Sequence, residues 1–143
     1  MPEQPADEQP TDEPQVAESV LAADRWSRVV GLFVALGVFV LAQLTTTDPQ
    51  FNAVVAAVGG IGARVYVPYH ASLSVVDPEA TSISSHPDAG NYHYGAAGLA
   101  LLLAPAVALV VMIAAGSFNA ATLVGAVVGS AAFLVLQSIL PQG

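Results

Sequence analysis

Apolar positions along this chain fall in long unbroken runs, and charged positions lie almost entirely between them. The first run, "VVGLFVALGVFVLAQL" at residues 29–44, would cover about 24 Å as a helix. Trp26 to Arg28 extend it toward the roughly 30 Å hydrocarbon thickness of a bilayer. Two further runs, 95–115 and 120–140, are each about 32 Å long as helices and are separated by "GSFN", which reads as a tight turn. Neither carries the polar stripe of a helix on a soluble domain.

The second run is shorter. "FNAVVAAVGGIGA" at 51–63 follows the breaker Asp48–Pro49 and is interrupted by Arg64. By length alone it could be re-entrant. If the chain enters near Pro49, Arg64 lies about 22 Å deeper, where its long side chain can reach the far headgroups. Val65, Tyr66, Val67 and Tyr69 would then complete the span as an interfacial belt, with Pro68 helping to end the helix.

The pattern therefore predicts an all-α, polytopic membrane protein. It would be a compact bundle of four transmembrane helices, at about 27–45, 51–69, 95–115 and 120–140, with a polar loop at 77–94. Three spans, with 51–76 re-entrant or external, is the alternative. Charge asymmetry favours four, because Arg25, Arg28 and Arg64 then share one side, which the positive-inside rule makes cytoplasmic. The N terminus is expected on that side too.

Residues 1–24 hold four prolines, no aromatic residue and seven carboxylates, from Glu3 to Asp24. Such a segment cannot bury enough apolar surface to offset its ordering entropy. It reads as a disordered acidic tail, with helix entering from about Gln15. It is long and acidic where a secretory signal peptide would be short and positive.

Composition then narrows the function. Charged residues make up 10% of the chain, against about 25% in soluble proteins. There is no cysteine, which removes thiolate metal sites and cysteine nucleophiles. Three arginines and no lysine leave no basic patch for nucleic acid. In being acidic and lysine-free the chain resembles proteins of salt-in halophilic archaea, a likeness of composition that brings no family motif. It implies that the carboxylates maintain solvation in a salty cytoplasm.

Few residues offer chemistry. Arg64, with Tyr66, Tyr69 and His70, forms the group expected to be functional or topology-setting, since an intramembrane cation is by default a candidate site. No carboxylate lies in any expected span to pair with Arg64, so a snorkelling role is the plainer expectation. His86 and His93, near Asp88 and Tyr92, could hold a metal but match no ligand spacing, so no metal, cofactor or catalytic residue is expected. Pro105 should weaken or kink the third span.

Small residues recur at four-residue spacing: Ala121, Gly125 and Gly129; Ala96, Ala100, Ala104 and Ala108; Ala56 with Gly60, and Gly59 with Ala63. Such rows let helix backbones approach closely. The expected function is association within the membrane, in contact with lipid, as a homo-oligomer or an accessory subunit. A small transporter or channel component using Arg64 and its neighbours is the second possibility. A metal-binding or enzymatic module on the 77–94 loop is the third.

Overall fold

The structure, a computed structural model, describes residues 18–73 and 93–141. The tail to residue 17 and the loop 74–92, with His86, Asp88 and Tyr92, lie outside the described residues. Within them the protein is all-helical: α1 (Glu18–Thr45), α2 (Pro49–Ser72), α3 (Tyr94–Ala115) and α4 (Phe118–Ile139). All four are long and apolar enough to cross a membrane.

Local chemistry sets the helix ends. Asp48 caps α2, its Oδ1 accepting the Phe51 N–H at 3.0 Å, and Pro49 occupies the first turn, where no N–H is required. α3 closes on Gly116 in the left-handed region at φ 61°, and Ser117 immediately caps α4. The α3–α4 connection is therefore tighter than "GSFN" suggests, since Phe118 and Asn119 are already helical. α1 is helical from Glu18, so residues 18–24 are helical, in keeping with a helix entering from about Gln15.

Pro68 does not end α2, which continues to Ser72. Proline removes one donor from the ladder, and packing of the last turns against α3 outweighs that loss. α3 also runs unbroken through Pro105, whose ring packs toward Gly59.

Extensive packing joins α1 to α2, α2 to α3 and α3 to α4, and no other pair packs along its length. The helices thus form a curled row rather than a closed bundle. Glycines set the spacing in the row. On one side of α2, a Cβ on Gly31 would lie 2.8 Å from the Gly60 carbonyl oxygen, and one on Gly60 would lie 2.8 Å from the Gly31 oxygen. On the other, a Cβ on Gly62 would lie 2.9 Å from the backbone of Leu101 and Leu102. α4 approaches α3 through Gly125, against Ala104 and Ala108, and Gly129, against Ala104.

Gly31 also lies beside Arg64. Since α1 and α2 are antiparallel, Arg28 sits only about 4.5 Å further toward the same end. Arg25, Arg28 and Arg64 therefore gather at one end of the row. At the opposite end, Thr46 and Asn52 close the α1–α2 turn: the Thr46 hydroxyl donates to Asn52 Oδ1, and Asn52 Nδ2 donates to the Thr46 carbonyl at 3.3 Å. Ala42, Phe51, Val55, Ala108 and Ala121 form the apolar core there.

Gly62→Val is expected to destabilise the fold by about 1–3 kcal/mol, because the added atoms meet backbone that cannot rotate away. Gly37→Ala, with nothing within 4 Å of the new Cβ, should be neutral or stabilising by up to about 1 kcal/mol. Detergent-driven unfolding in mixed micelles measures both.

Candidate functional site

The residues singled out on α2 separate into two groups. Arg64 stands on the α1 side, exposed, with its Cβ close to Gly31. The ion pair found among the described residues is Asp24–Arg28 at 3.9 Å, on the surface of α1. Such an exposed pair contributes little. Tyr66 lies on the α3 side, where Gly98 lets the two backbones meet.

Tyr66, Tyr69 and His70 do come together, and His93 joins them across from α3. Tyr66 stacks on His70 with ring centres 5.9 Å apart and planes at 23°. Tyr69 lies 5.9 Å from Tyr66 and 5.6 Å from His93. Tyr69 is the buried member, 3% exposed. A Cβ at Gly95 would overlap its ring, so this glycine is what allows the ring to lie against the first turn of α3. Its hydroxyl then reaches past α3 and donates to the Pro141 carbonyl at 2.9 Å, just beyond α4.

His93 makes the parallel connection. It is the N-cap of α3, its Nδ1 accepting the Ala96 N–H at 3.3 Å. An accepting Nδ1 leaves the ring proton on Nε2, which donates to the Leu140 carbonyl at 3.0 Å. Two side chains, from α2 and from the start of α3, thus hold consecutive carbonyls at the end of α4.

In sequence His93 looked like a loop residue, because histidine is not among the usual caps. Its place directly before an apolar run was the available signal. Gly62, Gly95 and Gly98 were also missed. They line the α2–α3 contact, Gly62 from α2 and Gly95 and Gly98 from α3, at positions outside the four-residue rows.

Away from this clasp, α2 and α4 meet once more, where Phe51 and Phe118 pack edge to face with centres 6.0 Å apart. Between the two contacts the helices part. A half-open groove of about 660 Å³ lies over the alanine face of α3, flanked by Val54, Val58, Gly125 and Phe133. Thr122 and Ser130 are the polar side chains in its lining.

The chemistry available here is that of joining helices. The Tyr69 hydroxyl and both nitrogens of His93 bond to backbone atoms, so His93 offers a metal no lone pair without giving up its cap. Among the described residues, no group of three His, Asp or Glu gathers that could hold a metal ion. Comparison with protein-family models, with curated proteins and with solved structures finds no match to this chain.

Tyr69→Phe removes one hydroxyl and keeps the ring in place. It is expected to cost about 0.5–1.5 kcal/mol, the range of a hydrogen bond inside a protein or between membrane helices. Arg64→Gln should change stability by no more than about 0.5 kcal/mol, as for an exposed residue with no ion pair among the described residues. Equal losses from both would contradict the separation of the two groups.

Proposed function

We propose that this chain is a small integral membrane protein, not an enzyme, that acts by helix–helix association, as a homo-oligomer or as an accessory subunit of a larger membrane complex. The observation that carries this reading is the incomplete covering of its helices. α1 and α4 each pack along a single neighbour, and the groove between α2 and α4 stays open. Leu32, Leu36, Val40 and Leu44, at four-residue spacing on α1, all face outward. In a bilayer, lipid satisfies such surfaces, but side chains of another helix pack them more closely.

The gathering of Arg25, Arg28 and Arg64 at one end supports a cytoplasmic placement of that end by the positive-inside rule, with the N terminus on the same side. The acidic tail fits a solvating role in a salty cytoplasm. The groove gives a transport pathway little support, since two hydroxyls do not line a hydrated ion path. With three cations in the chain, nucleic acid is not a partner.

Crosslinking in native membranes, followed by extraction in mild detergent, is expected to recover a multimer or a complex with another membrane protein. Ala126→Trp, which fills the groove from an exposed position on α4, should lower that yield severalfold if the groove is the contact. A monomer with no captured partner, in wild type, would contradict the reading.

A further inference from the structure

The clasp on α4 contains a group whose hydrogen bonds depend on its charge. We propose that His93 is a proton-operated latch, which holds the C-terminal end of α4 against α2 and α3 when neutral and releases it when protonated. This goes beyond the association reading and does not depend on it.

Both nitrogens of the His93 ring are occupied in one tautomer. Nδ1 accepts from Ala96 N–H, and Nε2 donates to the Leu140 oxygen. A proton added to Nδ1 turns the acceptor into a donor facing a donor. It also places positive charge at the N-terminus of α3, where the helix dipole is already positive. Both effects drive the ring out of the cap; although a charged Nε2–H would by itself bond the Leu140 carbonyl more strongly, a ring that leaves the cap carries Nε2 away from it.

Among the described residues, α2, α3 and α4 bring no carboxylate to the ring. From α2 the ionisable neighbours in this cluster are Tyr69, in ring contact, with Tyr66 and His70 beyond it. α3 contributes Tyr94, and α4 has no ionisable side chain. Arg64, the charged group on α2, faces α1. No carboxylate stands on any of these helices to favour the charged ring.

The consequence follows from how α4 is attached. Apart from its packing on α3, it is tied to α2 by Phe51–Phe118 at one end and by the clasp at the other. Loss of the His93 tether leaves Tyr69 Oη–Pro141 as the remaining bond of that clasp. With the α3 tether gone and the single Tyr69 bond left to break, the end of α4 opens outward about the far contact more often, and the groove widens on the side of Phe133 and Leu134. The sign follows from the bonds: the closed form needs the neutral ring, so it is favoured at higher pH and lost at lower pH.

The absence of native cysteines allows a direct test. Nitroxides on cysteines introduced at Leu73 and Gln137, both exposed, report the α2–α4 distance in lipid nanodiscs, where both faces meet the buffer. A longer-distance population is expected at about pH 5 and not at about pH 8. His93→Asn keeps a side-chain oxygen for the Ala96 N–H but cannot titrate, so its distribution should not respond to pH. His70→Asn and His86→Asn should respond as the wild type does. An unchanging wild-type distance, or a response that survives in His93→Asn, overturns the proposal. Should His93→Asn not fold, nitrogen NMR of the wild-type imidazoles decides: Nε2–H with a bare Nδ1 at high pH is required, and the opposite tautomer overturns the latch.

Discussion

The fold depends on how closely α2 lets its neighbours approach. Lipid tails are as apolar as leucine, so burying leucine between helices gains little in a bilayer, and close backbone contact has to supply the attraction. α2 carries glycines on two faces, Gly60 toward α1 and Gly62 toward α3, and at both the space that a side chain would fill holds the neighbour's backbone. This fixes the positions of three helices at once. It also places Arg64 beside Gly31, and so puts all three arginines at one end.

Close approach along one line leaves other surfaces open. With α2 spent on α1 and α3, and α3 spent on α2 and α4, no other described helix covers the outer faces of α1 and α4. α2 and α4, both leaning on α3, touch through an aromatic pair at one end and through the Tyr69–His93 clasp at the other. The groove is the space left between. Its apolar lining and the polar clasp are two results of one arrangement: small residues bring the helices together, and hydrogen bonds to the free carbonyls of α4 finish the row.

Much of this was legible in the sequence, and the reasons differ by element. α3 and α4 could be read to within two residues because their apolar runs are bounded by turn formers whose chemistry is local, Gly116 and Ser117. The four-residue rows marked Gly125 and Gly129, which face α3. What could not be read was tertiary. Pro68 ends a helix by local preference, yet Gly95 and Gly98 hold the last turns of α2 against α3 and carry the helix past it. His93 belonged by composition to a polar loop, and its place in the clasp depends on the carbonyl of Leu140, distant in sequence. A compact bundle of four helices was expected, and the order in which they pack was not. The directions in which the glycines point arrange them as a row.

The central claim is that α2 crosses the whole bilayer although Arg64 interrupts its apolar run. Single cysteines at Thr47, Ser84 and Gln142, labelled in intact cells with an impermeant thiol reagent and again after the cells are opened, test it most directly. The account predicts that Ser84 and Gln142 share one side and that Thr47 lies on the other, reacting from outside. If Thr47 and Ser84 react from the same side, α2 does not span, and the shared end of the three arginines is not a membrane face.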